Sequence, residues 1–345
     1  MSELTTIRGL LEQLLEGHDL TEGQAAMVLR ALTQTETPAA LGGALLAALR
    51  AKGVVAAELR GFAQAMRELA KRPVIDEPLR QRAIDIVGTG GDSSGSVNIS
   101  TGTSLLVAAC GLPVIKHGNR SISSRSGSAD VLEQLGLALP LDETDAGECL
   151  LRTGFTFLFA PHYHPAMKAI APVRQALGVR TIFNILGPLT NPAAPPFALV
   201  GAFNETTAEL MAGALSGLPG LRRAMVVHGA AGWDEPTPIG PFTLFDVHDG
   251  QITRSVRDPA DLGFARCSAL DLKGGDAADN AAALARVLRG EERGAHRDAL
   301  VLGAALALEC AGMADSAERG VALASRAIDE GAAARILTQF RGCGA

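Results

Sequence analysis

From Thr5 to Arg72 the apolar residues recur at helical spacing, as at Leu41, Leu45 and Leu49, which fall on one stripe of a helix. Thr21-Glu22-Gly23-Gln24 fits a capping box, Thr37-Pro38 fits a cap followed by proline at the first helical position, and Gly53 suits a helix end. These signals predict a helical domain over residues 1–75. The pattern breaks between Pro73 and Pro78. Beyond it, short apolar runs at 83–87, 112–116, 155–159, 198–202 and 223–227 alternate with helical stretches. That alternation predicts an α/β domain over residues 76–345 with a largely parallel sheet. Phe242 to Val247 and Gln251 to Val256 flank His248-Asp249-Gly250, a hairpin signal that adds antiparallel strands and makes the sheet mixed. From Ala277 onward the chain is rich in alanine and leucine and reads as helix.

In a sheet of this kind ligands gather at the carboxyl ends of the strands. The loops beginning at Gly88, Lys116, Ala160 and His228 are therefore expected to share one crevice. With 345 residues the chain can bury a large core, and its net charge of −6 provides no general attraction to nucleic acid or to an anionic membrane. Any anion site must be local. The five cysteines are scattered, without a C-x-x-C pair for a metal or redox centre, and fit a reducing compartment. No apolar run is long enough to span a bilayer and neither a signal nor a transit peptide is visible, so the expected location is the cytoplasm.

The candidate chemistry sits at the strand ends. Gly88-Thr89-Gly90-Gly91-Asp92 follows the first strand-like run and precedes Asn98-Ile99-Ser100-Thr101, which opens a helix. Glycines let consecutive N–H groups converge on an anion, and the helix directs its positive end to the same place. No Gly-Lys-Ser/Thr follows, and the sixth position from Gly88 is Ser93, so this is neither a Walker loop nor a dinucleotide fingerprint. After the second strand, the block from Lys116 to Asp130 concentrates lysine, arginine and serine, donors suited to phosphate oxygens. The loop after the fifth strand carries Asp234-Glu235, hard oxygen ligands of the kind that hold Mg²⁺ beside substrate phosphates.

Taken together, Gly-Thr-Gly-Gly-Asp at 88–92, Asn-Ile-Ser-Thr at 98–101, Lys-His-Gly-Asn-Arg-Ser-Ile-Ser-Ser at 116–124, Pro-Val-Arg-Gln at 172–175 and Phe-Asn-Ile-Leu-Gly-Pro-Leu-Thr-Asn-Pro at 183–192 resemble the anthranilate phosphoribosyltransferase family. The resemblance implies an α-helical domain, joined by a return segment at about 165–190, and an α/β domain of the nucleoside phosphorylase/phosphoribosyltransferase type. It also implies a homodimer contacting through the helical part. The implied reaction transfers the 5-phosphoribosyl group of phosphoribosyl pyrophosphate to the amine of anthranilate, releasing pyrophosphate in tryptophan biosynthesis.

By the same resemblance Gly88, Thr89, Gly90, Gly91, Asp92, Ser96, Asn98, Ser100, Thr101, Lys116 and Ser128 hold the donor. Ser100, Asp234 and Glu235 are implied ligands of Mg²⁺, with two ions expected per subunit. Gly88, His117, Asn119, Pro161, Tyr163, Arg174 and Gly187 are implied to meet the acceptor, with Arg174 facing its carboxylate. No side chain is assigned as a general acid or base, because a neutral aromatic amine can attack the ribose directly. Trp233, Pro236 and Gly303 depart from the family's usual residues and bear on acceptor preference; Ser123-Ser124-Arg125 replaces a serine-serine-lysine order and keeps the charge. Three other readings stand beside this one: transfer to a different aromatic acceptor, a pyrimidine nucleoside phosphorylase, and a non-catalytic nucleic-acid-binding paralogue. The acidic balance and the intact carboxylates weigh against the last.

Overall fold

A computed structural model describes residues 3–121, 125–340 and 342–344. Four helices open the chain: α1 (Glu3–Leu15), α2 (Glu22–Leu32), α3 (Ala39–Lys52) and α4 (Ala56–Leu69). Thr21 caps α2 in a capping box with Gln24, as its sequence predicts. The expected Thr37 cap is not formed. Pro38 holds the N-cap position of α3, and the Thr37 hydroxyl donates instead to the Ala31 carbonyl at 2.6 Å, closing the turn after α2.

Seven strands follow: β1 (Ile84–Gly88), β2 (Val114–Gly118), β3 (Phe155–Phe159), β4 (Phe197–Gly201), β5 (Arg223–His228), β6 (Phe242–His248) and β7 (Gln251–Arg257). They form one sheet in the order β3-β2-β1-β4-β5-β6-β7, the first five parallel and the last two antiparallel. The expected strand at 112–116 begins two residues later, since Pro113 has no N–H and its carbonyl is taken by Ile84. The β6–β7 hairpin turns at Asp249 and Gly250, both at positive φ, as a two-residue connection of this twist requires.

Strand residues alternate between two cores. Leu199, Met225, Val227 and Leu244 join helices Ile99–Ala109, Ala277–Leu288 and Ala295–Cys310 on one face. Ala198, Val200, Ala224, Val226 and Phe245 join α1–α4 and helix Glu205–Leu215 on the other. The second core also takes in Ile170, Ile182 and Phe183, so the segment carrying Pro172-Val173-Arg174 packs with the first helices. Gly42 of α3 lies in this contact, and a Cβ there would meet Leu32, Ile170 and Val173 at ordinary van der Waals distances. Strand order reverses direction between β1 and β4, which places the crevice at Gly88 and Gly201, their carboxyl ends.

Candidate active site

Gly88, Gly201 and Gly229 end β1, β4 and β5 or follow directly, and all three press on one segment. A Cβ on Gly88 would overlap the Asp234 carboxylate, one on Gly201 the Asp234 carbonyl, and one on Gly229 the Glu235 carbonyl. The strand ends therefore form a slot that only glycine leaves open, and the slot delivers the carboxylate pair to the glycine loop. In it the Asp234 carboxylate accepts the Gly90 N–H at 2.6 Å, while Glu235 accepts the Ser100 N–H at 3.1 Å, at the start of helix Ile99–Ala109.

Burial and mutual repulsion raise both acids. Asp234 is pushed up to about 7 by burial and by Asp92, and Glu235 to about 8 by burial and by Asp234. Lys116 is the local counter-charge, 2% exposed. Its ammonium donates to the Ile86 carbonyl and to Ser100 Oγ at 3.3 Å. Burial lowers its proton affinity, and Asp85, Glu235 and Asp234 pull it back up. Excess buried negative charge on oxygen ligands suits a hard cation. Among the described residues no group of three or more His, Cys, Asp or Glu side chains could hold a metal, so further ligands for such a cation would have to come from hydroxyl, water or phosphate oxygens.

Asp85, beneath this site on β1, accepts the His117 N–H at 3.2 Å and the Asn191 Nδ2 at 2.9 Å, and Asn191 also donates to the Ile115 carbonyl. Burial lifts Asp85 to about 6, against the opposing pull of Lys116 and its hydrogen bonds. Arg67 of α4, lowered to about 10 by burial, donates to the Leu189 carbonyl. This network ties β1, β2, the Gly187–Asn191 turn and α4 together. None of its members Asp85, Asn191 and Arg67 was singled out from the sequence, since their partners lie far away in the chain.

The glycine loop opens into a cavity of about 490 Å³. Six of the seven expected acceptor residues line it: Gly88, His117, Asn119, Pro161, Arg174 and Gly187. Tyr163 does not. It is fully buried, its hydroxyl 2.9 Å from the Asp142 carbonyl and 3.2 Å from that of Leu141, and the expected loop at 160–164 is a one-turn helix that turns His164 to the cavity instead. His117 and His164 meet edge to face at 5.0 Å. Burial holds His117 well below the usual imidazole range and His164 at about 4, so both are neutral at pH 7. The cavity's cations are then Lys168 and Arg174. Arg174 lies 5.0 Å over the Phe183 ring, and among the described residues it has no carboxylate partner.

The remaining residues expected at the donor cluster with less uniformity. Asp92 accepts from the Ser94 N–H and hydroxyl, and Ser96 lies beside Ser94 at 3.2 Å. Asn98 is the N-cap residue of helix Ile99–Ala109. Thr101 is buried in that helix, its hydroxyl without a hydrogen-bond partner among the described residues. Ser128 opens helix Ser128–Gln134 and donates to the Asn119 carbonyl at 3.3 Å. Ser123 and Ser124 lie outside the described residues. Arg180, not expected here, donates to the Gly91 carbonyl at 2.8 Å and rests 4.8 Å over Phe203. Trp233 is buried in the core, and Gly303 packs so closely on Thr103 that a Cβ would lie 2.8 Å from its hydroxyl.

Two family models match the chain: the helical bundle domain of a glycosyl transferase family over residues 8–70, and its a/b domain over residues 80–334. The anthranilate phosphoribosyltransferase of Desulforudis audaxviator (strain MP104C) is 46% identical over 335 residues, 97% of this chain and 95% of that protein. The crystal structure of anthranilate phosphoribosyltransferase from Thermus thermophilus superimposes with a TM-score of 0.89 at 42% identity, covering 96% of this chain and 98% of the other. The Saccharomyces cerevisiae enzyme, in complex with PRPP and Mg, shares the fold with a TM-score of 0.87 at 24% identity over 97% of each chain.

Proposed function

We infer the roles in this cleft from the premise that the chain belongs to the family of anthranilate phosphoribosyltransferases. It transfers the 5-phosphoribosyl group from phosphoribosyl pyrophosphate to the amine of anthranilate, releasing pyrophosphate, a step of tryptophan biosynthesis. One observation carries the assignment of roles: Gly88 and Thr89 belong both to the glycine loop and to the wall of the 490 Å³ cavity, so a donor on the loop and an acceptor in the cavity meet there.

On this reading the donor's pyrophosphate lies at the Gly88–Asp92 turn and the start of helix Ile99–Ala109, with Ser96, Asn98, Ser100, Thr101, Lys116 and Ser128 around it. Mg²⁺, two ions per subunit, would be held by Asp234, Glu235 and Ser100 and would neutralise charge on the departing pyrophosphate. The acceptor ring lies in the cavity against Pro161 and Phe183, its carboxylate toward Arg174. Neutral His117 and His164 leave that carboxylate without competing cations beyond Lys168. The amine reaches the ribose from the side of Asn119 and Gly88. An aromatic amine already carries a free lone pair at pH 7, so positioning and charge stabilisation suffice, and no acid or base is assigned.

The division into a helical domain (residues 1–75 with the return segment at about 165–190) and a donor-binding domain (76–345) belongs to the same proposal. So do a homodimer formed through the helical part and a cytoplasmic location; among the described residues no helix is long and apolar enough to cross a membrane. Loss of anthranilate fluorescence on mixing the protein with phosphoribosyl pyrophosphate and Mg²⁺, absent without metal, is the expected result. No loss, with the donor still binding by calorimetry, would move the search to another aromatic acceptor.

A further inference from the structure

The donor loop is backed by a second glycine-containing segment, Leu272 to Asp276, ahead of helix Ala277–Leu288. The Val97 N–H donates to the Leu272 carbonyl at 3.0 Å, the Gly274 N–H to the Gly95 carbonyl at 2.9 Å, and Ser96 pairs with Lys273 in an isolated antiparallel bridge. The approach is close. A Cβ on Gly274 would lie 2.6 Å from the Ser96 carbonyl oxygen and from Asn280 Oδ1. Asn280, 3% exposed, is the buried polar side chain at the centre of this contact.

Two side-chain amides stand in series here, and a backbone group fixes both. The Gly275 N–H can only donate, so the Asn280 atom 2.7 Å from it is the oxygen. The Asn280 NH₂ is then the atom that reaches Asn98 at 2.8 Å, and an NH₂ can only donate. Asn98 must answer with its own oxygen. Its NH₂ is thereby turned away from Asn280 to the side of the cation-rich loop, where it meets the Ser126 carbonyl at 3.3 Å. A carboxamide has two ends of nearly equal shape, and of the two contacts that set its orientation here the 2.8 Å bond from Asn280 is shorter than the 3.3 Å bond to Ser126. A flipped Asn98 would present an oxygen where the present one offers a donor, and an oxygen facing phosphate oxygens is repulsive.

We propose that Asn280 is a positioning residue for the donor: it holds the Asn98 carboxamide with its NH₂ toward phosphoribosyl pyrophosphate. The inference rests on the reading of Asn98 as a donor contact. Asn280 does not itself face the cleft and acts through Asn98.

The test is Asn280→Asp, which keeps the shape and the acceptor for the Gly275 N–H but removes the donor to Asn98. In the full-length protein with saturating Mg²⁺ the KM for phosphoribosyl pyrophosphate should rise roughly tenfold, the scale of one lost hydrogen bond to a charged group, while the KM for anthranilate stays within about twofold. Asn98→Ala should raise the donor KM by itself, and adding Asn280→Asp to it should raise it no further. An unchanged donor KM in Asn280→Asp, or an equal rise with and without the Asn98 side chain, would overturn the inference. An unchanged donor KM in Asn98→Ala would instead remove the underlying reading of Asn98, and the inference with it. Asn280→Ser, smaller and neutral, runs through the same cycle with the same expectations if Asp at this buried position does not fold.

Discussion

Gly88 faces Asp234 with no room for a side chain: a Cβ would overlap the same carboxylate that accepts the Gly90 N–H at 2.6 Å. The absence of a Cβ thus sets where the carboxylate stands. Gly88→Ala should push Asp234 off the loop, lowering kcat/KM by about a hundredfold or more, since displaced catalytic groups of this kind cost on that scale. The strain should cost about 1–3 kcal/mol of stability. Denaturant unfolding and initial rates measured on one preparation check both; a variant with native kcat/KM would show that the slot is not what places Asp234.

Asp234 and Glu235 are raised by burial and repulsion, so the fold does not depend on their charge. Asp234→Asn with Glu235→Gln should fold with a melting temperature no lower than that of the parent, while turnover in Mg²⁺ falls at least about a hundredfold, as expected when charge stabilisation is lost. Full activity in this double variant would end their assignment to the metal.

The parts of the molecule legible in the sequence are those written in local chemistry. Strand β1 followed by Gly88–Asp92, the Asp249-Gly250 turn and the Thr21 capping box each depend on backbone needs met within a few residues. What escaped depends on facing. Tyr163 and His164 are neighbours, and only the tertiary setting of a one-turn helix decides that the imidazole meets the cavity and the phenol does not. Asp85 in a run of apolar residues has a partner at Asn191, and Arg174 has its ring at Phe183, relations that no periodicity encodes. The glycine ending β4 was a usable signal. It matches the glycine ending β1, and both mark the approach of Asp234.

Arg174 is held over the Phe183 ring, with no carboxylate partner among the described residues. Burial lowers its pKa but leaves it charged, so it is poised for an external anion. Arg174→Ala should raise the KM for anthranilate by about 10- to 100-fold, the equivalent of a charge-assisted contact of about 1.5–3 kcal/mol, with the donor KM unchanged. Arg174→Lys should fall between, keeping charge but losing the stacked plane. Steady-state kinetics with each substrate varied in turn decides it; an unchanged anthranilate KM would remove Arg174 from the acceptor site.

Tyr163 serves the fold. Its hydroxyl reaches the Asp142 and Leu141 carbonyls, at the start of helix Glu143–Thr153. Tyr163→Phe should therefore lose about 1–2 kcal/mol of stability, the cost of leaving the buried Leu141 carbonyl short of a donor, and leave the anthranilate KM within about twofold. A raised acceptor KM with unchanged stability would restore Tyr163 to the cavity.

His164 gives the pH response a sign. Its folded pKa of about 4 lies below the ordinary histidine value, chiefly through burial, and His117 shifts the same way. Below pH 6.5 the unfolded chain therefore takes up protons that the folded one refuses, and stability falls as the pH drops from 6.5 toward 4; above 6.5 both states are neutral and the contribution is complete. For His164 alone the loss reaches about 3 kcal/mol by pH 4. His164→Gln removes the titrating group while the carboxylates elsewhere still titrate, so urea unfolding at pH 7 and at about pH 4.5 should show a smaller acid loss in the variant than in the parent. An equal loss would mean that the imidazole takes its proton in the folded protein. The cavity would then carry a cation beside Lys168 and Arg174 at mildly acid pH.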